Sequence, residues 1–261
     1  VLRTITKKLG RGRQGGALHP ENQTKSLFNS SLLIRFAKIL HMKILVIGDA
    51  QHYSSLQLNG QQVQQVTTAE RIESLDDYQL VIDLVFDDHP EHALLYAKFP
   101  EVPVLAGIVK TSLAAVMNNY AFSQGFNLIG CNWLPGFTGM PVTEVSLMDE
   151  EQLPVLKDIM AELGWQFEVV RDSVGMVTPR VVCMIINEAY MAAEEGTASR
   201  ADINTAMKLG TNYPLGPFEW CEKIGVKNVC DVLSAVYTET GNERYKVSPL
   251  LAAEAQTSNV K

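Results

Sequence analysis

The run from Asp172 to Val226 constrains this chain more than any other, because apolar spacing, caps and turn residues agree along it. Val177, Val181, Met184, Ile185, Glu188, Ala189 and Ala192 recur mostly at steps of three and four, which puts most of them on one face of a helix. Gly196 follows as a C-terminal stop. Ser199 then reads as the N-cap of a second helix that runs to about Gly210, with Asp202 in its first turn. Asn-Tyr-Pro-Leu-Gly-Pro over 212–217 breaks the chain before Phe218. The C-terminal part is therefore expected to be all helical.

Upstream, the pattern alternates between strand and helix. Lys43–Gly48 reads as a buried strand ending in a turn, Asp77–Phe86 as a β-rich run, and Val102–Ala106 as another short buried strand. A helix is expected from about Pro90 to Phe99. Between the first two strands, Leu56–Val63 alternates like a hairpin with its turn at Asn59-Gly60.

Several words of the sequence resemble the 3-hydroxyacyl-CoA dehydrogenase family. They are Asn187-Glu-Ala189, Glu195-Gly196, the run from Asp202 to Gly210 (Asp-Ile-Asn-Thr-Ala-Met-Lys-Leu-Gly) and the run from Tyr213 to Glu219 (Tyr-Pro-Leu-Gly-Pro-Phe-Glu), in the family's order and spacing. The resemblance implies an α/β plus α fold: a truncated Rossmann-like parallel sheet over 42–170, then a helical C-terminal domain over 172–261 that forms a homodimer. It also implies NAD as cofactor, acyl-CoA as substrate and a role in fatty-acid metabolism.

The resemblance carries roles for individual residues. A family member uses a histidine base oriented by a glutamate, with a serine hydroxyl and an asparagine amide on the substrate oxygen. Such groups suit the chemistry because the base must titrate near neutrality and the developing oxyanion needs donors. Here the base position is Asn132, twelve residues before the matched Glu144, and an amide takes no proton at neutral pH. Thr111 stands at the serine position, 21 residues before Asn132, with Lys110 beside it. Pro179 replaces the substrate-binding asparagine, and Arg180 matches the family arginine.

Glu144, Asn132 and Thr111 are thus the candidate catalytic residues, and Thr111, Lys110, Trp133 and Pro179 the candidate substrate-binding residues. Lys110 is expected at an exposed strand end, with a contact to an acidic or phosphate group as the alternative. Glu144, near Trp133 and Phe137, is either a local structural carboxylate or a desolvated base for other chemistry.

The nucleotide loop departs further from its pattern. A dinucleotide site needs closely spaced glycines so that backbone can approach the pyrophosphate. The sequence after the first strand is Gly48-Asp-Ala-Gln-His-Tyr53, so Gly48 alone is kept, and Asp49 adds a negative charge there. NAD binding is expected to be poor. Weak or lost dehydrogenase activity is the first expectation, and a non-catalytic acyl-CoA-binding or dimerising scaffold the alternative.

Composition narrows the partners. Residues 1–41 hold eight Lys/Arg and one acid, whereas the rest of the chain carries 14 basic and 28 acidic residues. The acidic body argues against nucleic acid. The basic leader fits either a transit peptide or, better, a disordered or over-extended start before Met42. Apolar runs are too short to span a membrane. Four scattered cysteines lack paired spacing, so no metal site is expected and a reducing cytoplasm is the default. His89 and His92, beside Asp87 and Asp88, are expected to be solvated or at a helix start.

Overall fold

The computed structural model describes residues 42–58 and 60–258, so the leader over 1–41 and the expected turn residue Asn59 lie outside the described residues. The described residues open with β1 (Lys43–Ile47), a one-turn α1 (Ala50–Tyr53), β2 (Gln62–Val66) and β3 (Leu80–Asp83). A 3-10 turn (Pro90–His92) leads into α2 (Ala93–Tyr96), followed by β4 (Val104–Gly107), α3 (Leu113–Asn119), β5 (Leu128–Cys131) and β6 (Val142–Ser146). Then come α4 (Leu153–Leu163), β7 (Gln166–Val169), α5 (Thr178–Glu194), α6 (Arg200–Thr211), α7 (Pro217–Ile224), α8 (Val226–Thr240) and α9 (Pro249–Ser258).

The strands form one sheet in the order β2-β1-β3-β4-β5-β6-β7. Every neighbouring pair is parallel except β5–β6. This is the truncated Rossmann-like sheet followed by helices. Central strands are apolar on both sides because helices cover both faces. Leu45, Ile47, Val81, Val104 and Ala106 pack on one side with Tyr96, Leu113 and Val116. Ile44, Val46, Leu80, Ile82 and Leu105 pack on the other with Trp133, Leu156 and Met160. The period-2 alternation of side chains thus splits each strand between two cores.

The Leu56–Val63 hairpin does not form. Instead Gln62–Val66 pairs parallel to β1, from Lys43 opposite Gln62 to Ile47 opposite Val66. The alternation is real, with Val63 and Val66 half-buried among exposed glutamines. It belongs to an edge strand reached by a crossover through α1, and local pattern cannot distinguish that partner from a hairpin mate. The helix expected over 90–99 is likewise shorter, a 3-10 turn plus one α-turn.

The helical half follows the sequence closely. Ser199 caps α6, its hydroxyl accepting from Asp202 N at 3.2 Å, and Asn212 ends the helix in the left-handed region. The recurrent words have structural jobs. Asn187, 1% exposed, donates to Lys246 O at 2.9 Å and accepts from Ser248 N at 2.8 Å, fastening the loop before α9. Asn204 accepts from Phe218 N at 3.0 Å, and Glu219 accepts from Gly216 N at 2.8 Å and pairs with Lys208. These bonds tie α6 to the first turn of α7 and occupy N–H groups that a helix start leaves without partners. Cys183, Ile186 and Tyr190 of α5 face the helical core, together with Phe218, Val232 and Val236.

Most of the apolar stripe read from the sequence lies on another face of α5, Ala189 being the member buried in the helical core. Val177 and Val181 are 53% and 52% exposed, and Val181, Met184, Ile185, Ala189 and Ala192 line an open groove of about 630 Å³ with Ile203 and Met207 of α6. Helix α5 therefore carries two apolar faces, one inward and one outward.

Candidate functional site

Parallel sheets bind ligands beyond the carboxyl ends of their strands where the order reverses, which here is between β1 and β3. Gly48 and Leu84 leave those two strand ends. The Gly48 N–H donates to Val66 O at 2.9 Å and the Leu84 N–H to Ile47 O at 2.8 Å. A Cβ on Gly48 would lie 3.0 Å from Leu84 Cβ, so glycine eases the close approach of these two strand ends. Asp49 caps the one-turn α1, its carboxylate accepting from His52 N at 2.8 Å. That carboxylate takes a donor which an anion would need and adds repulsion, so these residues do not fit a pyrophosphate. His52 follows, held below the ordinary histidine range by burial, against the opposing pull of the Trp133 carbonyl, Asp49 and Asp88.

Across the crevice lies a second charged group that the sequence did not reveal. The Asp87 carboxylate accepts from Val109 N at 2.8 and 3.0 Å and from Lys110 N at 2.7 Å. Burial pushes it up to about 7, although the Lys110 and Val109 N–H groups and the Lys110 charge pull the other way.

Lys110 is not an exposed residue at a strand end, because its side chain is 9% exposed, and it meets acidic groups as in the alternative reading. Its ammonium lies 2.7 Å from Asp88 and 3.1 Å from Asp231 on α8. Burial lowers this ammonium, but the two carboxylates outweigh it and the net shift is upward. Asp231 is 121 positions away and reaches Lys110 only in the folded chain, so no local pattern announces the pair.

Asn132 and Glu144 do come together. Asn132 directly follows β5 and Glu144 lies on its antiparallel neighbour β6, and Asn132 N donates to Glu144 O at 3.1 Å. The Glu144 carboxylate points to the start of α5. One oxygen accepts from Val177 N at 3.1 Å, and the other from Thr178 N at 2.8 Å and from the Thr178 hydroxyl. Pro179 is buried in the same first turn, where its missing N–H costs nothing.

Asn132 is 6% exposed, and its Oδ1 is buried with no hydrogen-bond partner among the described residues. Trp133 is 3% exposed, donates from Nε1 to Leu105 O at 3.1 Å and packs edge-on against Trp165. Only its rim reaches a groove of about 350 Å³ shared with Met140 and Pro141. Thr111 lies half-buried just before Ser112, the N-cap of α3, and that helix start is also held by Asp172, which accepts from Leu113 N and Ala114 N.

His92 stands at a helix start, as the N-cap of α2, and it is buried there, with Nδ1 2.7 Å from the Asp83 carboxylate, which also accepts from Tyr96 OH at 2.5 Å. His89 stays exposed at the start of the 3-10 turn. The acid that holds His92 is neither Asp87 nor Asp88 but Asp83, the last residue of β3.

Residues 175–260 match the model of the 3-hydroxyacyl-CoA dehydrogenase C-terminal domain. The helical half of the chain is thus similar to the C-terminal domain of 3-hydroxyacyl-CoA dehydrogenases. The chain is 43% identical over 86 residues to 3-hydroxyadipyl-CoA dehydrogenase of Escherichia coli (strain K12), covering 33% of this chain and 18% of that protein. It is 25% identical over 194 residues to a 3-hydroxybutyryl-CoA dehydrogenase of Bradyrhizobium diazoefficiens, covering 71% of this chain and 66% of that one. The chain thus spans between under a fifth and just under two thirds of these two family members. In fold it is similar to the crystal structure of (S)-3-hydroxybutyryl-CoA dehydrogenase PaaH1 from Ralstonia eutropha, with TM-score 0.61, 22% identity, and coverage of 76% of this chain and 71% of that one.

Proposed function

We propose that this chain is a 3-hydroxyacyl-CoA dehydrogenase-like protein of acyl-CoA metabolism in which NAD-dependent hydride transfer is weak or lost. The observation that carries this reading is Asn132 beside Glu144. An amide stands where the family's base is expected, and the carboxylate that would orient a base is engaged by the backbone of α5. Loss of a general base lowers rates by roughly 10²–10⁴. The capped loop after Gly48 adds a second handicap, since it offers a pyrophosphate a carboxylate instead of free N–H groups.

A second reading, a non-catalytic acyl-CoA-binding or dimerising scaffold, is favoured by the outward apolar face of α5. A groove of about 630 Å³ lined by Val181, Met184 and Ile185 is a costly surface to leave in water. A second copy of the chain laid against it would form a homodimer through the helical half. The cysteines suit a reducing compartment such as the cytoplasm, since Cys131, Cys183 and Cys221 are buried free thiols.

The test is to measure NADH formation from 3-hydroxybutyryl-CoA, with separate calorimetric titrations of NADH and acetoacetyl-CoA. The reading expects little or no turnover and no tight nucleotide binding. Turnover at rates usual for dehydrogenases would sink it. Binding of acetoacetyl-CoA without NADH would favour the scaffold.

A further inference from the structure

The 3-10 turn after β3 gathers three ligating side chains that no part of the dehydrogenase reading uses. Pro90 fixes the first position of the turn, and His92 N donates to His89 O at 3.0 Å to close it. A 3-10 helix has three residues per turn, so positions three apart eclipse. His89 and His92 accordingly stack, with ring centroids 5.3 Å apart and planes 12° from parallel. Glu91 folds back so that its carboxylate lies 3.1 Å from His89 Nδ1. One ligating atom from each of His89, Glu91 and His92 falls within 4.8 Å of the other two.

A second, independent observation lies beneath them. His92 Nδ1 is 2.7 Å from Asp83, which is fully buried and also accepts from Tyr96 OH and Val85 N. A carboxylate accepts and does not donate when ionised, so Nδ1 carries the proton and Nε2 is left as a lone-pair donor. A buried carboxylate that orients a histidine in this way is the usual second shell of a metal-bound imidazole.

We propose that His89, Glu91 and His92 form a binding site for a divalent transition-metal ion, with Asp83 and Tyr96 as the groups that orient His92. Two imidazoles and a carboxylate suit zinc-class ions and not magnesium or calcium, which favour shells of oxygen. Tetrahedral zinc at its usual bond lengths needs ligand atoms about 3.3 Å apart. The side chains of His89 and Glu91 are 53% and 56% exposed, so they are free to swing in, while His92 is held. Three protein ligands leave a fourth position open to solvent water. The ion clips the crossover between β3 and α2.

The test is calorimetric titration of the chelator-stripped full chain with zinc chloride. One equivalent is expected to bind, with excess magnesium failing to compete. His89→Ala and Glu91→Gln, both exposed positions, are each expected to weaken binding roughly tenfold or more while leaving the circular dichroism spectrum unchanged. Asp83→Asn is expected to weaken it by roughly 10–100-fold. No binding, competition by magnesium, or equal affinity in His89→Ala would overturn the proposal, because any zinc bound would then sit elsewhere.

Discussion

The Glu144 carboxylate and the backbone N–H of Thr178 lie 2.8 Å apart, joining strand β6 to the first turn of helix α5. A helix start leaves its first N–H groups without partners, and a carboxylate there satisfies them and favours the positive end of the dipole. This contact joins the sheet to the helix on which the family match begins.

Glu144→Ala is therefore expected to be a stability variant. It removes the acceptor for two backbone N–H groups and one hydroxyl, and such capping losses cost about 1–2 kcal/mol. Urea unfolding followed by tryptophan fluorescence should show a lower midpoint with an unchanged slope. An unchanged midpoint would count against the capping role and reopen Glu144 as a base.

Lys110→Met should destabilise the chain by separating Asp88 and Asp231 from their shared cation. Removing one partner from a fully buried pair costs about 3–5 kcal/mol. The loss here should be smaller, because Asp88 is 57% and Asp231 29% exposed and water takes up part of the charge. Limited proteolysis should cut faster between the sheet and α8 in the variant. Equal cutting rates would mean that Lys110 does not bridge them.

Asp87 should make stability depend on pH. Its folded value is raised from the ordinary carboxylate range to about 7, chiefly by burial. Below about pH 4 both folded and unfolded chains hold this proton, so the group contributes no pH dependence. As pH rises from about 4 to 7, the unfolded chain ionises first and stability falls; above about 7 both are ionised and the loss is constant. Asp87→Asn should flatten that part of the urea midpoint against pH. Parallel curves for the two proteins would show that Asp87 is not the group responsible.

Val181→Asp should disrupt self-association through α5. Val181 is 52% exposed and away from the helical core, so the fold should survive while a charge enters the apolar groove. Light scattering after gel filtration should find a dimer in the parent chain and a monomer in the variant. A monomeric parent chain would remove the basis for the scaffold reading.

Short-range pattern was enough for the helices over 178–224, because caps, spacing and turn residues lie within a few positions of one another. Ser199 with Asp202 and the break over 212–217 are local facts, and so was the loss of glycines after Gly48. The exchange of a base for Asn132 could also be read directly from residue type.

Tertiary structure decided the rest, since it depends on which distant residues arrive. Pairing of β2 with β1 instead of a hairpin needed a crossover that the glutamine-rich run does not announce. Lys110 became buried because Asp231 reaches it, and His92 became fixed because β3 presents Asp83 beneath it. The face of α5 that looks like a core stripe is open to solvent, because Cys183, Ile186 and Tyr190 on its other side face α7 and α8. Periodicity fixes which residues share a helix face, but only the packing of neighbouring elements chooses the face that is buried.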